Sequence, residues 1–288
     1  MAMSSTASVG IPREVKRDER RGGLPPAAAG ELPRHGLKVW VERGAGKEAG
    51  LADEEFAAAG AVLVDAAAAW SANVVVKVKE PQPEEYRFLR EDLVLFTYLH
   101  LAGYPAVAQA LMAAKVTAIA YETVQMGDGS LPLLSPMSEI AGRLAAQVGA
   151  SLLEKPHGGP GILIGGCTGV QPARVVVLGA GTVGWSAARI AAGMDAEVFL
   201  LDRSSARLRQ LEAERRGRMV SLMSSQTTIE RLAPTADLLI GAVLTPGGRA
   251  PTLVDEQLVQ RMNPGSVIVE IPLCLATPFF QQPQAVFV

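Results

Sequence analysis

The sequence has only two cysteines, Cys167 and Cys274, in 288 residues. At most one disulfide could form, which excludes a disulfide-framework protein and suits a reducing compartment. Histidine is nearly as scarce, at three, and no Cys/His cluster has metal-ligand spacing, so no metal is expected. Aromatics are 5%, which leaves the core to Ala, Val, Leu and Ile. Neither sign of charge dominates: 27 Lys plus Arg against 29 Asp plus Glu give −2, which points away from nucleic acid and anionic membranes as partners. The opening MAMSSTASVG lacks the basic and apolar stretches of a secretory signal, so the cytoplasm is the expected address. The uncharged run Leu93–Ala114 contains His100, Gly103, Pro105 and Gln109, and reads as strand, loop and helix rather than a membrane span. No charge occurs in Ile271–Val288, where about three would be expected from average composition.

What is present is 49% hydrophobic and 19% charged, in a chain long enough for about two domains. Short β-branched runs alternate with Ala-rich stretches, the pattern of a parallel sheet covered by helices. The first half predicts strands at Val9–Ile11, Lys38–Glu42, Val62–Val64, Val74–Lys77, Leu93–Phe96 and Thr117–Ala120, with helices at Asp53–Ala59, Pro83–Leu89 and Ala106–Ala114. A long helix then runs from a Ser135 cap to about Leu153. The second half predicts strands at Arg174–Leu178, Glu197–Leu201, Met219–Ser221, Leu238–Val243 and Ser266–Glu270, with helices at Val183–Ala192, Ser205–Arg216 and Asp255–Met262. The expected fold is therefore α/β, two Rossmann-like domains, the second a nucleotide-binding doubly wound parallel sheet. Its expected parts are residues 8–134, 135–271 and an atypical tail, 272–288, with neither helical nor strand period.

Val175–Leu178 runs into Gly179-Ala180-Gly181-Thr182-Val183-Gly184, then an apolar helix and a strand ending in Asp202. This is the dinucleotide fingerprint in its proper context. Gly179 permits the tight turn, Gly181 lets the backbone approach a pyrophosphate, and Gly184 lets helix and strand pack closely. A carboxylate at Asp202 accepts ribose hydroxyls and repels a 2′-phosphate, which favours NAD over NADP, although Arg203 beside it could meet such a phosphate. FAD is disfavoured by the motif's late position.

Of the three histidines, His35 and His157 lie in turns and read as solvated. His100 follows a buried strand that would deliver it to the sheet's carboxyl edge, where open α/β sheets bind ligands. There it could transfer a proton near neutral pH, or be a core histidine bonded to backbone; the residues alone leave both open. Lys77 and Lys79 alternate onto one side of another strand's tip, where a lysine can hold a carboxylate or sit as a surface charge. Arg20 and Arg21 fall in a basic-acidic stretch that reads as a solvated turn. No P-loop or Gly-x-Ser-x-Gly motif occurs.

The segments GIPREVKRDERR, VKVKEP, LFTYLHLA, AYETVQ, LPLLSPMSEIAGRLAAQVGA, LGAGTVG, ADLLIGAVL and MNPGSVIVE resemble the alanine dehydrogenase family, which shares ancestry with the nicotinamide-binding subunit of transhydrogenase. KVKEP and FTYLHLA separate the chain from the transhydrogenase branch. The resemblance implies NAD-dependent, reversible deamination of L-alanine to pyruvate and ammonium, by a homo-oligomer, hexameric in the family. It implies His100 as proton donor and acceptor, with Arg21 and Lys79 on the substrate's carboxylate and carbonyl oxygen. Ser138, Thr182, Asp202, Arg207, Ser224, Val243 and Leu244 join the fingerprint glycines on NAD. The chain departs from the family at Gly22-Gly23, expected to loosen Arg21, and at Cys167-Thr168. After Glu270 it reads IPLCLATPFFQQPQAVFV, where the family has Asp-Gln-Gly-Gly with a catalytic aspartate, so that Cys274 takes the aspartate's place. An altered reading frame and a catalytically impaired protein that only binds nucleotide are the alternative expectation.

Overall fold

The computed structural model describes residues 7–215, 217–243 and 252–271, with the backbone of 284–287. The chain divides into two compact units, Met1–Leu134 and Ser135–Val288.

The first unit is built on β1 (Ser8–Ile11), β2 (Lys38–Glu42), β3 (Val62–Val64), β4 (Val74–Val76), β5 (Val94–Thr97) and β6 (Thr117–Ala120). They form one parallel sheet in the order β3-β2-β1-β4-β5-β6. Strand order reverses between β1 and β4, the switch point at which parallel sheets open a crevice beyond their carboxyl ends. Ile11, Val39, Val41 and Phe56 fill one core cluster, and Trp70, Val75, Leu93 and Leu95 another. Pro105–Ala113 (α1) opens with Pro105, whose missing N–H costs nothing in a first turn.

The second unit begins with Ser135–Leu152 (α2), then β7 (Arg174–Leu178), Thr182–Gly193 (α3), β8 (Glu197–Asp202), Ser205–Glu212 (α4), β9 (Met219–Met223), β10 (Leu238–Gly241) and β11 (Val267–Glu270). A final strand, β12 (Gln284–Phe287), completes a sheet ordered β12-β11-β10-β7-β8-β9, in which only β12 is antiparallel. Alternation along β7 sends Val175 and Val177 to the face under α2 and α3, and Val176 and Leu178 to the other. Ala145, Ala146, Ala187, Ala188 and Ala191 are buried where the helices meet the sheet, so small side chains serve where aromatics are scarce.

Several elements differ from expectation. The tail is not without a strand, because β12 pairs with β11, and an open sheet edge needs only backbone donors and acceptors rather than an amphipathic pattern. Pro83–Phe88 is a 3₁₀ rather than an α-helix, tightened by Glu85 accepting the Gln82 N–H at 2.8 Å. Ser135 is the first helical residue rather than its cap, and α4 ends at Glu212, four residues early. Strands β4 and β10 stop at Val76 and Gly241, and the helix over Asp255–Met262 contracts to Glu256–Val259. A helix over Gln226–Leu232 escaped the sequence reading despite its Ser225 cap, whose hydroxyl accepts the Thr228 N–H at 3.1 Å. No helix among the described residues is long and apolar enough to cross a membrane, and they contain no metal-binding cluster.

Candidate active site

Because the strands of the first sheet are parallel, the residues just after each strand gather along one edge. Glu14 and Lys16 follow β1, Lys77, Lys79 and Glu80 follow β4, His100 follows β5, and Glu122 follows β6.

Lys77 is wholly buried, which corrects its reading as a surface or ligand-holding lysine. Its Nζ lies 2.7 Å from Glu85 and 3.3 Å from Glu14. Glu14 also accepts the Val78 N–H at 2.6 Å. Burial pushes the Glu14 carboxyl up, opposed by Lys77 and by that N–H. A charge this deep is tolerable only when paired, so Lys77 locks the chain leaving β4 in place. Two residues on, Lys79 is half-buried; its carbonyl accepts the Thr97 hydroxyl at 3.0 Å, but its ammonium has no hydrogen bond or ion pair among the described residues. Burial lowers its pKa, and the neighbouring cations Lys16 and Arg21 lower it further. An ammonium held this way can take an anionic partner.

Arg21 is half-exposed. Glu19 takes its Nε at 2.8 Å and Nη2 at 2.6 Å, a bidentate grip that sets the guanidinium plane. The same hydrogen bonds raise the Arg21 pKa; burial alone would raise Glu19, but Arg21 outweighs it and holds that carboxyl below its ordinary value. Gly23 tightens rather than loosens this segment: a Cβ there would lie 2.5 Å from the Val76 carbonyl oxygen, so only glycine lets it approach β4 so closely.

His100 has φ +47°, the left-handed region that a side chain rarely enters. Glu122 holds it there. One carboxylate oxygen accepts the His100 N–H at 2.6 Å and the Leu99 N–H at 3.2 Å, and stands 3.8 Å from the imidazole Nδ1. The ring stacks on Tyr98, with centroids 5.8 Å apart. Burial lowers the His100 pKa; Glu122 pulls it up and Lys79 pushes it down again, with the net below the usual value. That direction favours the neutral imidazole, the form able to accept a proton. Glu122 was not singled out from sequence. Its signal was present: a carboxylate in AYET, directly after the strand that neighbours His100's own.

The second sheet carries the glycine fingerprint. Gly179 has φ +99°, and a Cβ on it would meet the Ala242 carbonyl at 2.6 Å. A Cβ at Gly184 would stand 1.8 Å from the Gly179 carbonyl, whereas one at Gly181 would meet nothing within 4 Å among the described residues. The turn is thus closed where it packs on itself and open over Gly181, at the N-terminus of α3, the shape a pyrophosphate needs. Asp202 closes β8, accepting the Ala180 N–H at 2.7 Å and the Ser204 N–H at 2.8 Å, one on each oxygen. A carboxylate offers about four lone-pair sites, so acceptor capacity remains for hydroxyls.

Thr182 is exposed at the first turn of α3. Arg207 donates from Nε to the Ala180 carbonyl at 3.0 Å, and the Ser224 N–H donates to the Asp202 carbonyl at 2.8 Å. Val243 follows β10 beside the Gly179 turn, while Ser138 is buried in α2. Leu244 and Cys274 lie outside the described residues.

Two family models match in succession: "Alanine dehydrogenase/PNT, N-terminal domain" over residues 10–141, and the corresponding C-terminal domain over 145–273. The chain belongs to the alanine dehydrogenase/PNT family. An alanine dehydrogenase of Mycobacterium tuberculosis is 52% identical over 267 residues, 92% of this chain and 72% of that protein. A solved L-alanine dehydrogenase superposes with a TM-score of 0.87 at 49% identity, covering 92% of this chain and 73% of the other. A transhydrogenase from Sinorhizobium meliloti gives 0.77 at 26% identity, covering 91% and 77%. Within the family the dehydrogenase branch is therefore the nearer, and the binding-only alternative is not favoured.

Proposed function

We propose that the chain is an NAD-dependent alanine dehydrogenase, converting L-alanine, NAD and water to pyruvate, ammonium, NADH and a proton, reversibly. The observation that carries this reading is the gathering of Lys79, Arg21 and His100 at one sheet edge, with the Lys79 ammonium half-buried and without a partner among the described residues. The dinucleotide fits the open Gly181 turn: Gly179, Gly181, Thr182 and Gly184 would hold its phosphates, and Asp202 its ribose hydroxyls. Ser138, Arg207, Ser224, Val243 and Leu244 complete the cofactor set in this reading. When bound, NAD supplies the acceptor for the hydride leaving the alanine Cα.

The chain's own groups do the rest. Lys79 and Arg21 fix the substrate carboxylate, and Lys79 also polarises the oxygen that becomes the ketone, which removes the orientational freedom of a flexible amino acid. Neutral His100 takes a proton from the water that attacks the imino carbon. As imidazolium it returns that proton to the departing amine, so one residue serves as base and then acid. Glu122 keeps the ring in its strained seat and stabilises the cation. Assembly as a homo-oligomer in the cytoplasm belongs to the same reading.

The test is NADH formation from L-alanine by the purified chain at alkaline pH, beside NADH binding followed by fluorescence. Turnover that His100→Ala abolishes while binding survives supports the proposal. Binding without turnover in the unsubstituted chain refutes it.

A further inference from the structure

The turn that carries His100 is tied down on two sides, and only one tie belongs to the chemistry described above. Glu122 holds the backbone of the turn. The other tie starts at Tyr104, four residues after His100 and immediately before α1. Its hydroxyl accepts a hydrogen bond from Lys16 Nζ at 3.3 Å, and its ring centroid lies 4.6 Å from the same nitrogen.

Lys16 is 8% exposed and its ammonium is paired with Glu80, which is 2% exposed and directly follows Lys79. Gln82 donates to the same Glu80 oxygen at 3.3 Å, and the other Glu80 oxygen is buried without a hydrogen-bond partner among the described residues. One buried ammonium thus joins the segments after β1, β4 and β5. An aromatic that merely filled space would need no hydroxyl aimed at that charge.

We propose that Tyr104 is a positioning residue: through Lys16 and Glu80 it latches the His100 turn to the strand end that bears Lys79, keeping the proton-transfer group and the carboxylate-binding group in register. The inference rests on the dehydrogenase reading above. The turn's internal hydrogen bonds, Gly103 N–H to the His100 carbonyl at 2.8 Å and Tyr104 N–H to the Leu101 carbonyl at 3.1 Å, make it a rigid body, so a tie at Tyr104 is felt at His100.

The test compares the full chain with Tyr104→Phe, which keeps the ring and removes only the hydroxyl. Losing this one long hydrogen bond, of ordinary net strength, should lower kcat/KM for L-alanine about threefold to tenfold and raise the KM for pyruvate. The groups facing His100 are Glu122 after β6, Lys79 and Glu80 after β4, Lys16 after β1, and the stacked Tyr98 ring. The substitution alters none of their charges. A loosened turn admits water, relaxes the imidazole toward its ordinary value, and moves the acid limb of the kcat/KM profile to higher pH.

Mere destabilisation would reduce the active fraction but shift neither KM nor that limb. Gln109→Ala, at an exposed position of α1, should change nothing. An unchanged KM and acid limb in Tyr104→Phe, with the unsubstituted chain turning over alanine, overturns the latch alone. If the unsubstituted chain forms no NADH, the dehydrogenase reading fails and the latch falls with it.

Discussion

Replacing Gly181 or Gly184 by alanine separates a turn that binds from a turn that only packs. At Gly184 the new Cβ would stand 1.8 Å from the Gly179 carbonyl oxygen. Ordinary contact begins near 3.4 Å, so α3 would have to retreat from β7 by about 1.6 Å. Overpacking of that kind costs about 1–3 kcal/mol or more. Gly184→Ala should therefore lose stability and dinucleotide binding together.

Gly181 differs. It sits at φ −65°, which alanine adopts freely, with nothing among the described residues within 4 Å of the added methyl group. Reduced unfolded-state entropy and the poorer N-cap oppose each other, leaving stability within about 1 kcal/mol of the parent. The same methyl group fills the space a pyrophosphate would use, so NADH affinity should fall about tenfold or more, equivalent to at least about 1.4 kcal/mol. Fluorescence titration and denaturant melts of both variants give the two quantities. If Gly181→Ala binds NADH as tightly as the parent, the open turn is not the phosphate cradle.

Lys77→Met leaves Glu14 and Glu85 buried without their cation, and should cost about 3–5 kcal/mol in a denaturant melt. Because burial lowers the His100 pKa, the acid limb of kcat/KM for alanine should lie below the ordinary histidine value of about 6.5. Glu122→Gln removes the charge that pulls that pKa up, so the limb should move to still lower pH while kcat falls; a pH–rate profile checks both. Lys79→Ala should raise the KM for pyruvate far more than it changes NADH affinity, as steady-state kinetics and binding measured side by side would show.

Much of this was legible in the sequence because parallel sheets write plainly. Strands such as Arg174–Leu178 and Lys38–Glu42 have the expected bounds, and the glycines of the fingerprint show their separate constraints one by one. His100 and Lys79 could be placed at strand tips by counting alone. What counting could not give was which charges are spent internally. Lys77 and Lys79 look alike in KVKEP, yet only the packing of Glu14 and Glu85, 63 and eight residues away along the chain, distinguishes a locked lysine from an available one. Glu122 escaped for a similar reason, since its partners are backbone N–H groups of a neighbouring strand's turn. β12 was missed because edge pairing leaves little pattern in side chains.

The central claim is that this chain moves a hydride from the alanine Cα to a nicotinamide. Turnover of L-alanine deuterated at Cα, with mass spectrometry of the reduced cofactor, tests it most directly. The account predicts reduced dinucleotide carrying the deuterium, formed by the parent chain and not by His100→Ala. Cofactor that is bound but stays oxidised, or is reduced without deuterium, would contradict it.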